Sequence, residues 1–303
     1  MSAFSGLDMM GFDRAANWQM VPEGGFRPIE LMDGAGLDLD IVPAEGKTAI
    51  SLKEGTSIPG FMSRSLTVMG LAPGNATITA ATKTPDPRSH QVPGSGRSAR
   101  LDVSVLPKGI QKLKFYRVKD QGGHIATRSD ASIEPMLKFA KEIYLSAANV
   151  ELQKVGSIET IELPGTQPDE FWFRPAEVQL LKSKVQLLSA DLHIFLMWSI
   201  EVDLPEMASG GNICGFCPRG TRMCAIEDDA AHGPGISANH TLAHEIGHHF
   251  FLSHDDPGVD KDNLMFFNAK STSTSLVKNQ ILEINRRAVA GAPAPPPADA
   301  AFR

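Results

Sequence analysis

Residues 241–256, TLAHEIGHHFFLSHDD, place four histidines within eleven positions, beside one glutamate and two aspartates. Neutral imidazole nitrogens are ligands for a transition ion, and a neighbouring carboxylate can accept a proton. The spacing predicts a helix over 239–250, capped by Asn239 or Ser237. Leu242, Ile246 and Phe250 then recur every four residues on one face, and His240, His244 and His248 on the opposite face. Neighbours in such a stripe stand about 6 Å apart, so His244 and His248 can converge on one ion. His249 lies roughly 140° around the helix from His244 and is expected to pack or to donate a hydrogen bond. Glu245 is angled away from direct ligation yet near enough to reach a bound water, the position of a general base.

His254 follows His244 by ten residues, about 15 Å along an unbroken helix and out of reach of the same ion. A helix that stops near Phe250 and a backbone that reverses there would bring His254 under the site as a third nitrogen, leaving a fourth position for water.

HEIGHHFFLSHD fits HExxHxxGxxHD at every position but one, and here the chain resembles the metzincin clan of zinc metallopeptidases. The resemblance implies Zn2+ held by His244, His248 and His254, with Glu245 as the catalytic base. It also implies that Met265, in DKDNLMFF, is the methionine of a tight turn beneath the ligands, and that Asp255 supports the reversed loop by accepting hydrogen bonds. The departure is Phe251, which occupies the place of the family's glycine. That glycine takes a left-handed conformation, which costs another residue on the order of 1–2 kcal/mol. Glu283, in QILEINRR, is the one obvious glutamate for an alternative third ligand, but it lacks the flanking residues of the peptidases built that way. A tyrosine ligand after the turn is not available, because position 267 is Phe and the two tyrosines are Tyr116 and Tyr144. Asp256, Asp260 and Asp262 read as a solvated acidic turn.

The elements needed to position these residues follow from the rest of the chain. At 303 residues, two domains are expected. Residues 22–107 carry short alternating runs, LDLDIVP, TAISLKE, SLTVMGL, ATITAAT and ARLDVSVLP, which predict an all-β sandwich after an N-terminal extension at 1–21. Within it LTVMGLAPGNATITAAT resembles the bacterial Ig-like domains, and 83–98 reads as a long hairpin loop. Residues 110–289 change to an α+β pattern: a strand at QKLKFYRV, an amphipathic helix burying Ile133, Met136, Leu137, Ala140, Ile143 and Tyr144, and strands at VELQKVG and ADLHIFLMWSIEV. An edge strand is expected at TRMCAIEDD, and a last helix over TSLVKNQILEINRRAVA. This succession is the one expected of a metzincin-like peptidase domain with a mixed twisted sheet. Residues 290–303, rich in Ala and Pro, read as a disordered tail.

A net charge of -6 gives no reason to expect nucleic acid as a partner. The longest apolar run, LHIFLMWSI, is far shorter than the roughly 20 residues of a membrane span. The N-terminus lacks a secretory signal pattern, since Asp8, Asp13 and Arg14 interrupt it. Cys214, Cys217 and Cys224 are too few for a structural zinc site. They leave open one disulfide, from Cys224 to Cys214 or Cys217, or buried thiols. The expectation is a zinc endopeptidase acting on a protein or peptide substrate. It would be secreted by a signal-peptide-independent route as a bacterial effector or toxin, with a secretion apparatus or an inhibitor or immunity protein as partner. The alternatives are a cytoplasmic location and a non-catalytic zinc-containing binding protein that acts through the Ig-like domain.

Overall fold

The computed structural model describes residues 4–5, 10–32, 39–45, 48–55, 63–82, 98–163, 171–172, 175–201, 214–219, 221–228, 238–266 and 273–291. Most of the expected loop at 83–98, most of the tail, Ser237 and Phe267 lie outside the described residues. The chain is a mixed α+β protein, mostly strand with four helices among the described residues. It divides into two compact units, one of Met1–Lys108, Ser146–Asn149 and Ser275–Asn285, the other of Gly109–Leu145, Val150–Thr274 and Arg286–Arg303.

Among the described residues the first unit holds nine strands: β1 (Phe4–Ser5), β2 (Phe12–Asp13), β3 (Trp18–Pro22), β4 (Phe26–Met32), β5 (Leu39–Glu45), β6 (Ile50–Glu54), β7 (Ser63–Gly70), β8 (Gly74–Thr82) and β9 (Ser98–Leu106). They form two sheets, in the orders β1-β4-β7-β6 and β2-β3-β9-β8-β5. Successive side chains of a strand face opposite ways. Ile29 and Leu31, Leu66 and Val68, Ile78 and Ala80, and Leu101, Val103 and Val105 therefore point inward from both sheets and meet in one core. The stretch read as an N-terminal extension supplies β2 and β3, and β3 runs parallel to β9 with Trp18 beside Asp102. Trp18 is buried, and its indole N–H donates to Ser104 Oγ at 2.9 Å. WQMVP shows no alternation because its first four residues are all buried, which removes the period-two pattern from the sequence.

The remaining elements are β10 (Gly109–Asp120), α1 (Asp130–Ala148), β11 (Val150–Lys154), β12 (Glu159–Leu163), β13 (Phe171–Trp172), α2 (Pro175–Lys184), β14 (Leu192–Met197), β15 (Ile200–Glu201), β16 (Gly215–Phe216), β17 (Met223–Glu227), α3 (Ala238–His249) and α4 (Lys278–Ala290). A six-stranded sheet has the order β11-β10-β14-β17-β16, with β12 pairing the C-terminal half of β10. Every pairing in it is parallel except β16 with β17. Parallel strands need covered faces, and all six residues of β14 are buried. Val178 and Leu181 of α2 join Tyr116, Phe195, Met197 and Met223 in the core on one face. The apolar stripe expected on α1, from Ile133 to Tyr144, is buried throughout. Ser129 and Ser132 exchange hydrogen bonds at its start, each hydroxyl accepting from the other's backbone N–H, a serine version of the capping box.

The strand expected at the sheet edge is corrected. β17 lies between β14 and β16 and is buried along its whole length, and the outer strand on this path is the two-residue β16. No helix among the described residues is long and apolar enough to cross a membrane.

His193 in β14 is fully buried. Its Nε2 meets Leu187 O, which can only accept, so Nδ1 accepts from the Tyr116 hydroxyl and the ring is satisfied as the neutral form. Burial holds its pKa below the ordinary 6.5. Because the unfolded chain then binds the proton more readily, this contribution to stability is complete above about pH 6.5 and is lost as pH falls towards the folded pKa. Urea unfolding between pH 7.5 and 5.5 should show H193Q losing less stability than the wild type. Equal losses would reject the assignment.

Candidate metal centre

α3 carries the two expected stripes. Leu242 and Ile246 are buried, and the helix packs on β16 and β17. His244 and His248 are one turn apart on the other side, their ring centroids 4.9 Å from each other. The helix ends through two backbone bonds: Phe251 N–H donates to His248 O at 2.9 Å, and Leu252 N–H to Gly247 O at 3.1 Å. This pair of bonds is the Schellman closure, which requires a left-handed residue between them. That residue is Phe251, with φ of 69°. The position at which the sequence resemblance calls for a glycine thus holds a left-handed phenylalanine, at a backbone cost of about 1–2 kcal/mol.

The reversal brings the third imidazole back. His254 Nε2 lies 3.0 Å from His244 Nε2 and 3.2 Å from His248 Nε2, and ligand atoms of all three lie within 4.8 Å of one another. A tetrahedral ion about 2.05 Å from each nitrogen would set them about 3.3 Å apart, so the separations suit a shared ion. Which nitrogen faces the centre is set by carbonyls. His244 Nδ1 donates to Leu264 O at 2.8 Å and His248 Nδ1 to Leu252 O at 2.9 Å. A carbonyl only accepts, so in the neutral ring the lone pair is on Nε2. Burial pushes the pKa of His244 well down and that of His248 to about 4, and it also lowers His254, the most open of the three. All three are neutral donors at neutral pH, the form a metal requires.

Glu245 is buried, and burial raises its pKa to about 8 against a backbone hydrogen bond from Cys217 that lowers it. Oε2 has no hydrogen-bond partner among the described residues. A buried carboxylate oxygen left open is costly unless a ligand or proton completes it. Gly215 of β16 closes over this side chain, and a Cβ there would stand 2.8 Å from Glu245 Cγ and 2.9 Å from Oε1. The segment is tied by a disulfide between Cys217 and Cys224, the latter inside β17. Cys214 stands outside that bridge, half-buried.

Met265 is fully buried against α3. A Cβ on Gly247, which lies between the two helical histidines in sequence, would fall 2.3 Å from Met265 Sδ. The turn is built by Asn263, whose Oδ1 accepts from Met265 N–H at 2.8 Å and whose carbonyl accepts from Phe266 N–H at 3.1 Å. One turn therefore places both the methionine and the Leu264 carbonyl that aims His244. On the return loop, Asp256 Oδ2 accepts from Ser253 N–H at 2.9 Å, while Asp255, expected to support this loop, is exposed and its backbone N–H donates to Ser253 Oγ at 3.4 Å. Its carboxylate acts on His254 through charge, favouring the protonated ring. His249 is buried and bridges Thr221 O at 2.7 Å and Gln111 Oε1 at 3.3 Å. His240 Nε2 donates to Ser273 O at 2.9 Å. Neither belongs to the cluster of three.

No protein-family model and no curated protein matches the chain. Among solved structures, it is similar to the S-layer protein rSbsC over 36% of this chain and 13% of that one, at 16% identity and a TM-score of 0.25. The solution structure of Amebosin matches at 17% identity over 29% of this chain and 87% of its own, with a TM-score of 0.20. The cysteine protease inhibitor EhICP2 from Entamoeba histolytica matches at 17% identity over 29% and 84%, with a TM-score of 0.22. The chain spans half or less of the S-layer chains it matches. At these TM-scores none of the likenesses bears on the centre.

Replacing Gly247 by Ala forces its new methyl into Met265 and should cost about 1–3 kcal/mol by overpacking. Chemical denaturation of G247A, M265A and the double variant should show the double losing less than the sum of the singles. Strict additivity would mean that the two residues do not touch.

Proposed function

We propose that the chain is a zinc-dependent endopeptidase of metzincin type, its second unit the peptidase domain and its first an Ig-like sandwich. The observation that carries the reading is the meeting of His244, His248 and His254 Nε2 atoms in a neutral cluster, with a buried, incompletely bonded Glu245 beside them in sequence. Three nitrogens with one position left open make a catalytic rather than a closed structural zinc site. Zinc bound there would supply a water of pKa about 7 and a Lewis acid for the scissile carbonyl.

The chain's own residues supply the rest. Glu245 accepts a proton from the attacking water and returns it to the leaving amine. Burial raises the Glu245 pKa to about 8, which favours the protonated form that returns the proton to the leaving amine, and a bound cation would favour the ionised form that accepts it. The Leu264 and Leu252 carbonyls keep His244 and His248 in the tautomer that presents Nε2. Met265 forms the floor under the helix between them. The substrate, a protein or peptide, would lie as an extended strand along the outer edge of β16, using main-chain hydrogen bonds. Such a strand would pass Gly215, which packs on Glu245.

The Cys217–Cys224 disulfide supports work in an oxidising place, in line with a secreted effector or toxin delivered by a signal-peptide-independent route. The sandwich unit would then engage a delivery apparatus, and an inhibitor or immunity protein would be a further partner.

E245Q should retain one zinc per chain and lose at least about a hundredfold in turnover of a denatured general substrate, with a chelator abolishing cleavage by the wild type. Full proteolysis by E245Q would reject the role of Glu245. Stoichiometric zinc with no cleavage across a broad peptide library would favour the binding-protein alternative.

A further inference from the structure

Three non-glycine residues among those described have positive φ, Asn17, Asn149 and Phe251. Asparagine visits the left-handed region routinely, while a bulky aromatic there is an outlier that its surroundings must hold. Something must therefore keep Phe251 from relaxing to the right-handed conformation that would simply extend α3.

We propose that Arg287 of α4 clamps Phe251 in its left-handed conformation and so acts as a positioning residue for His248 and His254. The guanidinium carbon of Arg287 stands 3.5 Å from the centroid of the Phe251 ring, which is face-on stacking well inside the range of a cation–π contact. The ring is half-buried, so it is held by this one planar cap as well as by its neighbours. A guanidinium suits the role because it is flat and weakly hydrated, and it stacks where an ammonium does not.

The backbone explains why such a clamp would reach the ion. Phe251 N–H and Leu252 N–H close the helix, Leu252 O receives the His248 Nδ1 proton, and His254 follows three residues on. If residue 251 turned right-handed, Leu252 O would leave His248 and His254 would be carried along the helix axis away from its companions. A glycine at 251 would hold this geometry without help. A phenylalanine strains the backbone but offers a handle by which a second helix fixes the return. The clamp's consequence for the metal rests on the reading of the centre as a zinc site. Its existence rests on geometry alone.

The test measures zinc affinity by competition with a chromophoric chelator, together with thermal melting of the metal-free protein. The variants are R287A, R287K, F251A, F251G and R287A combined with F251G. R287A and F251A should each bind zinc about tenfold more weakly, as losses of supporting contacts around metal ligands do. R287K should fall between R287A and wild type. F251G, which needs no clamp, should bind like the wild type and should show no further change when R287A is added. Equal losses from R287A in the Phe251 and F251G backgrounds would overturn the clamp, as would an F251A variant that binds like the wild type. Absence of zinc uptake by the wild type would instead defeat the zinc-site reading. The melts alone would then decide: R287A must lower Tm with Phe251 present and leave it unchanged in F251G, and any other pattern overturns the clamp.

Discussion

A straight helix can offer two imidazoles to one ion but not a third from ten residues further on, because each residue adds about 1.5 Å along the axis. The chain meets this limit by reversing at a single left-handed residue, Phe251, immediately after α3. The reversal stops the helix so that two backbone N–H groups of the return satisfy its last carbonyls, supplies the Leu252 carbonyl that orients His248, and sets His254 Nε2 within 3.2 Å of both helical nitrogens. A relaxed backbone at this residue would undo all three at once.

Around that reversal the second unit works as a set of fixed walls. The parallel sheet supports α3 from one side through β17 and β16. The Asn263–Met265 turn supports it from another, with Gly247 small enough for the methionine sulfur to lie against the helix. Low dielectric surroundings favour neutral imidazoles and a protonated Glu245 carboxyl. The same burial makes a Glu245 oxygen with no hydrogen-bond partner among the described residues expensive.

Much of this was legible in the residues. The four-residue spacing of Leu242 and Ile246 against His244 and His248 survives because a helix faces two environments, and Leu66 and Val68 of β7, Ile78 and Ala80 of β8, and Leu101 and Val103 of β9 alternate because they face one shared core. The illegible parts have equally physical causes. β3 has no period because it is buried on both faces, β16 is too short to have one, and α2 has too weak an apolar stripe to stand out. The carbonyls of Leu252 and Leu264 orient the imidazoles, yet a backbone oxygen leaves no trace in residue identity. Spacing left Cys214 and Cys217 as equal partners for Cys224, and only the path of β16 into β17 joins Cys217. Asp256 read as part of a solvated acidic turn, yet its carboxylate accepts from Ser253 N–H, because a hydrogen bond to a loop's backbone depends on the path of the chain and not on residue type.

The most direct test is zinc K-edge absorption spectroscopy on the wild type and H254A, each loaded with one equivalent of the ion. Three imidazole nitrogens and one oxygen about 2.0–2.1 Å from the metal in the wild type, falling to two imidazoles in H254A, are the expected result. An imidazole count unchanged by H254A would contradict the shared-ion geometry.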